Sequence, residues 1–390
     1  MFKIQTLNKI DPDGLSLFPL SNYEIASEMP NPDAIVLRSF KMHDMELSPS
    51  LKAVARAGAG VNNIPIDKCT ENGIVVFNTP GANANGVKEL VVAGLLLSSR
   101  DIIDSVNWAK TLIGEGDEVP ALVEKGKKNF AGQEIQGKTL AVIGLGAIGV
   151  LVANAATSMG MKVIGYDPYM SVQHALELSR EVHWMEGVQP VLAQADYVTL
   201  NIPLTPETKG YINKEKFGMM KDGMRLLNFA RGGLVDTDDL KEAIESGKVA
   251  RYVTDFPNED TIKMDKAIAI PHLGASTKES ETNCAKMAVD QVKGFLEDGN
   301  IKNSVNFPDA FMERNGGSRI LIANKNIPNM VGQISSVLAS ESINIDNMLN
   351  KKQNDIAYNI IDVTQPELGE SVKDKLMAID GVFMVRIIPE

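Results

Sequence analysis

Cysteine is nearly absent from this 390-residue chain, which holds only Cys69 and Cys284. Two cysteines so far apart give neither a metal-ligand spacing nor a disulfide framework, and this fits a reducing compartment. Histidine is scarce as well: His43, His174, His183 and His272 are all there are. Long apolar runs are missing. The longest, about Leu90–Leu97, falls far short of the ~20 residues that span a bilayer. No dense Lys/Arg block occurs, and 39 basic against 50 acidic residues leave a net charge of −11. Such a chain is poorly suited to sequence-independent binding of nucleic acid, although a local basic pocket for an anion remains compatible with it. Low-complexity tracts and tandem repeats are absent. The opening residues MFKIQTLNKI carry no long apolar run with a cleavage site, so no secretory signal is expected and the cytosol is the expected location.

What is present is an ordinary globular balance, 44% hydrophobic and 23% charged, enough to bury more than one core. Strand-like and helix-like segments alternate through the first three hundred residues, which predicts an α/β fold with a mostly parallel sheet. Early strands are expected at Phe2–Leu7, Ala34–Leu37, Ala53–Arg56 and Ile74–Phe77. A helical pattern runs from about Gly86 to Leu112, and another from Glu279 to Leu296. These two connect a first lobe, residues 1–98 completed by 285–305, to a continuous insert, residues 99–284. Within the insert, β runs are expected at Lys138–Gly144, Met161–Tyr166, Tyr197–Asn201, Met224–Phe229, Arg251–Asp255 and Ala267–Ile270. A polar, Gly-containing stretch at 306–318 reads as a linker. Residues 319–390 follow a βαββαβ order, the ferredoxin-like arrangement.

The insert carries the clearest motif. Gly144-Leu145-Gly146-Ala147-Ile148-Gly149 follows a predicted strand and opens a predicted helix. The first Gly permits the tight turn, the second lets backbone approach a pyrophosphate, and the third allows close helix–strand packing. Amides at the helix start bind phosphate. Asp167, 18 residues beyond Gly149, ends the next β run and would accept hydrogen bonds from ribose hydroxyls. It would repel a 2′-phosphate, and Pro168 to Val172 offer no Arg or Lys to receive one. NAD is therefore the expected cofactor, in preference to NADP.

Three further residues each follow a different β run of the insert: Arg231 in NFARGG, Glu259 in DFPNED and His272 in PHLGAST. Open α/β sheets bind ligands at the carboxyl ends of their strands. Oxidation of a 2-hydroxy acid needs a base for the hydroxyl proton, a cation for the carboxylate and a group that tunes the base. An imidazole, a guanidinium and a carboxylate meet those needs. Taken singly, each has an ordinary structural explanation, and it is their convergence at one sheet edge that defines a site. No metal is expected.

Together these motifs resemble the D-isomer-specific 2-hydroxyacid dehydrogenases. The resemblance covers roughly residues 30–300. It rests on RAGAGVNN, NTPGANANGVKEL, GLGAIG, YDP, NIPLTPETKG, NFARGGLVD and PHLGAST. It implies a doubly wound Rossmann-type domain inserted in a flavodoxin-like α/β lobe. It also implies that Arg231, Glu259 and His272 are the catalytic trio, spaced by 28 and 13 residues. Ala59 and Gly60 would bind the substrate carboxylate through their amides. Ile148, Pro203, Thr208, Ala230, Asp255 and Gly274 would contact NAD, with Asp255 orienting the nicotinamide carboxamide. Asn201 stands where many relatives carry His.

Arg38, Lys41 and Arg56 supply the cations that a phosphorylated substrate needs. The C-terminal segment resembles an ACT domain, a module that often binds amino acids at a subunit interface. In serine-regulated relatives the effector-binding positions correspond to Asn324, Asn326 and Asn344, with Asn324 replacing the usual His and Asn329 replacing a Gly. A homo-oligomer, dimer or tetramer, is the expected assembly. The competing functional readings are oxidation of another D-2-hydroxy acid, such as 2-hydroxyglutarate, and a non-catalytic NAD-sensing regulator on the same fold.

Overall fold

The computed structural model describes residues 1–390, and the chain divides into two units, residues 1–82 with 281–390, and residues 83–280. The first unit holds two sheets. Strands Phe2–Leu7 (β1), Tyr23–Ala26 (β2), Ala34–Leu37 (β3), Ala53–Arg56 (β4) and Val75–Phe77 (β5) pair in parallel in the order β2-β1-β3-β4-β5, the flavodoxin-like order. β3, β4 and β5 are apolar along nearly their whole length because both faces of a parallel sheet are covered. One core fills each face.

The second unit holds a seven-stranded parallel sheet: Thr139–Ile143 (β6), Lys162–Tyr166 (β7), His183–Trp184 (β8), Tyr197–Leu200 (β9), Met224–Asn228 (β10), Val249–Thr254 (β11) and Ala267–Ala269 (β12). Its order is β12-β11-β10-β9-β6-β7-β8, so the chain reverses direction between β6 and β9. That reversal is the switch point where doubly wound sheets bind ligands. The predicted long helix is two helices, Ala84–Ser99 and Ile102–Lys110. Arg100 breaks it with extended backbone. The unit boundary lies at residue 82/83 and not at 98/99, because Val87, Val91 and Leu95 pack into the core on one face of the seven-stranded sheet. The second boundary is at 280/281, inside the helix Lys278–Asp298.

The C-terminal segment forms the antiparallel sheet of the first unit, from Arg319–Lys325 (β13), Ile345–Gln353 (β14), Ile356–Val363 (β15) and Val382–Ile388 (β16). The order β14-β15-β13-β16, with helices Met330–Ser340 and Glu370–Met377, is the expected βαββαβ topology. Ile320, Ile322 and Ile361 face those helices. The other face, Leu321, Ala323, Tyr358 and Ile360, shares a core with the helix residues Val289, Val292, Phe295 and Leu296. The domain is therefore fused to the first lobe.

The stretch at 306–318 is not a free linker. Phe307 and Ala310 are buried, and Ile301 bridges to Ala310. Arg319 is fully buried; its guanidinium pairs with Asp362 and donates to the carbonyls of Asp298, Met312 and Glu313. The buried guanidinium draws these segments together because its planar donors leave no room for an unpaired edge.

No helix is long and apolar enough to cross a membrane.

Candidate active site

The turn after β6 is shaped for phosphate. Gly144 has φ +93°, and a Cβ there would lie 2.6 Å from the Asn201 carbonyl oxygen. A Cβ at Gly149 would lie 1.9 Å from the Gly144 carbonyl oxygen, so only glycine lets the helix Ala147–Ser158 start this close to the strand. Around Gly146 the space is open, and this helix has no side-chain N-cap, which leaves its first amides for a ligand. Asp167 sits beside the turn. Its two oxygens each accept one amide, from Leu145 and from Tyr169, both at 2.8 Å. Each oxygen keeps lone-pair capacity for ribose hydroxyls. Thr208 holds the neighbouring loop by donating to the Pro203 carbonyl at 2.7 Å.

The carboxyl ends of β10, β11 and β12 carry the residues expected to do the chemistry. Arg231 follows β10, and its Nη1 donates to the Ala230 carbonyl at 2.6 Å. Asp255 and Phe256 follow β11. Asp255 is 0% exposed; its Oδ2 accepts the Gly274 amide at 3.2 Å, while its Oδ1 is buried without a partner. Burial pushes the Asp255 carboxyl above its usual range, and the Gly274 amide, His272 and Arg231 oppose that rise. His272 follows β12, two residues before the amide that Asp255 holds.

Phe256 joins these groups. Its ring lies 4.5 Å from the His272 ring centroid to centroid and 5.9 Å from the Arg231 guanidinium carbon. Sequence reasoning did not single it out, because an aromatic beside a strand end looks like ordinary core. Glu259 stands apart. It opens a short helix capped by Asn258, its side chain is 83% exposed, and its carboxylate pairs with Lys263 at 2.6 Å.

The first unit carries the residues expected to bind the substrate anion. Leu37 and Arg56 are register partners at the ends of β3 and β4, and Arg38 follows at once. Arg56 Nε donates to the Arg38 carbonyl at 2.8 Å, and its Nη1 donates to the Gly60 carbonyl. Asn78 donates to the Ala59 carbonyl at 2.7 Å, which holds the Ala59–Gly60 loop. Arg38 Nη1 binds the Glu281 carboxylate at 2.7 Å. Lys41 is exposed.

Of the expected effector residues, Asn324 is not available. It is 1% exposed; its Oδ1 accepts from Asn359 at 2.8 Å and its Nδ2 donates to the Lys325 carbonyl at 2.7 Å. Asn350 completes this ladder by donating to Asn359 at 2.6 Å. Asn326 and Asn344 are exposed.

A glycine-bent phosphate turn with an acidic residue beyond it, at the switch point of a seven-stranded parallel sheet, defines a dinucleotide-binding domain, and Arg231 and His272 stand at strand ends on either side of β11. Residues 99–274 match the family described as D-isomer specific 2-hydroxyacid dehydrogenase, NAD binding domain. The D-3-phosphoglycerate dehydrogenase of Methanocaldococcus jannaschii is 34% identical over 83% of this chain and 61% of its own length. That of Rattus norvegicus is 34% identical over 70% of this chain and 51% of its own. The chain thus spans between half and two thirds of the length of these relatives. The NAD-bound 3-phosphoglycerate dehydrogenase of Entamoeba histolytica superposes with a TM-score of 0.61 at 25% identity, over 80% of this chain and 99% of its own. Residues 99–274 thus form an NAD-binding domain of the D-isomer-specific 2-hydroxyacid dehydrogenase type. NAD fits the residues present: the orphaned Asp255 Oδ1 asks for a donor such as a carboxamide, and the buried, unpartnered Nδ2 of Asn201 asks for an acceptor.

Proposed function

We propose that this chain is an NAD-dependent D-3-phosphoglycerate dehydrogenase. It oxidises D-3-phosphoglycerate to 3-phosphohydroxypyruvate, the entry step of L-serine synthesis. The observation that carries the phosphorylated substrate is the Arg38–Arg56 pair at neighbouring strand ends, with the Arg38 guanidinium already closed on a carboxylate, that of Glu281. A guanidinium that holds one oxyanion this way can exchange it for a phosphate.

The roles follow from chemistry. Arg231 and the amides of Ala59 and Gly60 hold the substrate carboxylate. Arg38, Lys41 and Arg56 receive the phosphate. His272 takes the C2 hydroxyl proton as the carbonyl forms. Glu259, once released from Lys263, supports the imidazolium. Bound NAD supplies the hydride acceptor, held by the Gly144–Gly149 turn, Asp167 and Asp255, with Ile148, Pro203, Thr208, Ala230 and Gly274 around it.

The enzyme acts in the cytosol, as its two free, buried cysteines favour. It works as a homo-oligomer. The helices Ile102–Lys110 and Val119–Gly126 bury no residue, while Ile102, Ile103, Val106 and Ile113 are exposed, a face that a second copy would cover. Serine is the proposed effector, with Asn326 and Asn344 its remaining contacts. Neither nucleic acid nor membrane is a partner.

The deciding experiment follows NADH absorbance with purified protein, NAD and D-3-phosphoglycerate beside D-glycerate. Turnover of the phosphorylated acid alone supports the proposal. Equal turnover of both acids removes the phosphate assignment, and turnover of neither removes the substrate.

A further inference from the structure

A cleft of about 560 Å³ opens within the first unit, between the first lobe and the C-terminal domain. Its volume falls in the range of small-molecule sites, ~300–1,000 Å³. It lies apart from every residue discussed as a substrate, cofactor or effector contact. Arg386 of β16 forms part of its wall. Its Nη1 donates to the Phe295 carbonyl at 2.9 Å, its Nη2 donates to the Leu296 carbonyl, and its guanidinium carbon lies 5.6 Å from the Phe295 ring centroid. These are neutral partners at the end of the helix Lys278–Asp298. No carboxylate lies within ion-pair distance of Arg386.

That is unusual for a half-buried cation. Charges taken out of water are normally paired. Burial pulls the Arg386 pKa down; Tyr358, Asp33 and Tyr23 oppose the shift. Asp33 is the only carboxylate among them, and it is already taken by Lys52 Nζ and by the Lys3 amide at 2.8 Å. Lys373 also lines the cleft, and its nearest carboxylate, Glu370, is 4.0 Å away with a side chain 87% exposed. The cations are thus the more sheltered charges, and Leu51, Leu368 and Met384 add apolar surface to the same mixed lining.

We propose that this cleft binds a small amphiphilic carboxylic acid, its carboxylate on Arg386 and Lys373 and its apolar body against Leu51, Leu368 and Met384. Such a ligand supplies the anion that Arg386 lacks. An α-ammonium group, where the ligand has one, meets Glu367 or Glu370 at the same wall. Because Arg386 also caps the helix Lys278–Asp298, occupancy acts on the end of that helix.

The test is calorimetric titration of the full chain with 4-methylpentanoate, L-leucine and the neutral 4-methylpentanamide. The expected result is saturable binding of one or both carboxylates, none of the amide, and affinity at least tenfold weaker in Lys373→Glu and Arg386→Gln. The Lys373 side chain is 45% exposed, so that variant keeps the fold even where Arg386→Gln loosens the cap. A preference for L-leucine over 4-methylpentanoate assigns the ammonium to the glutamates. Binding of neither carboxylate, equal binding of the amide, or unchanged affinity in Lys373→Glu overturns the proposal.

Discussion

The ring of Phe256 lies against the imidazole of His272, with centroids 4.5 Å apart and planes inclined by 45°. The same ring lies 5.9 Å from the Arg231 guanidinium carbon. One aromatic side chain therefore orients both the proposed base and the proposed carboxylate clamp. Aromatic pairs and cation–π contacts of this kind are worth about 0.5–1.5 kcal/mol each. Phe256→Leu is expected to lower turnover by roughly three- to tenfold, since about 1.4 kcal/mol is a factor of ten. Steady-state rates with D-3-phosphoglycerate check this, with circular dichroism as the control for folding. Unchanged rates would make Phe256 a packing residue only.

His272 itself carries a larger expectation. A positioned acid–base group contributes about 10²–10⁴-fold. His272→Ala should lose turnover on that scale while NADH binding, followed by nucleotide fluorescence, stays close to that of the parent protein. Loss of cofactor binding together with turnover would point instead to collapse of the loop that Gly274 ties to Asp255.

Asp255 gives a pH signature. Burial holds its carboxyl above the usual range. A carboxyl raised in the folded chain costs nothing below its unfolded value, near 4, and the cost is complete once the pH exceeds the raised value. Parent stability relative to Asp255→Asn should therefore fall as the pH rises from about 4. Melting temperatures of both proteins across the acid range test the sign. A difference independent of pH would mean that the carboxyl titrates normally.

Much of this architecture was legible in the chain. Runs such as TLAVI and AIVL read as strands because a parallel strand is apolar on both faces. The phosphate turn was legible because Gly144 and Gly149 answer steric demands that no other residue meets, as the 1.9 Å approach at Gly149 shows. The short edge strands β2 and β8 were not foreseen, since Tyr23–Ala26 and His183–Trp184 carry no long apolar run. Polarity also misled at residues 306–318, where Arg319 draws backbone carbonyls inward and makes a polar stretch part of the fold. Asn324 looked like a ligand-binding residue, but the pairing of β13 with β15 sets it beside Asn359, where its amide is used internally. The Lys263 pairing of Glu259 was equally invisible, because side-chain choice among nearby partners depends on the helix that begins at that residue.

The buried pair Arg319–Asp362 makes the last prediction. Its two contacts, at 2.6 and 2.8 Å, are bidentate and sealed from solvent. Removing one partner of such a pair leaves the other charge buried alone and typically costs about 3–5 kcal/mol. Asp362→Ala is expected to destabilise the chain by that amount in denaturant titration. Arg319→Met should cost at least as much, because it also strips donors from the carbonyls of Asp298, Met312 and Glu313. The double variant Arg319→Met with Asp362→Leu removes both charges and restores part of the loss, though not all of it, since those three carbonyls stay without a donor. Full recovery in the double variant would show that the carbonyl contacts contribute little. Little loss in Asp362→Ala beside a full loss in Arg319→Met would show that the guanidinium acts through the carbonyls alone, and that fusion of the C-terminal domain to the first lobe depends on backbone capture more than on charge pairing.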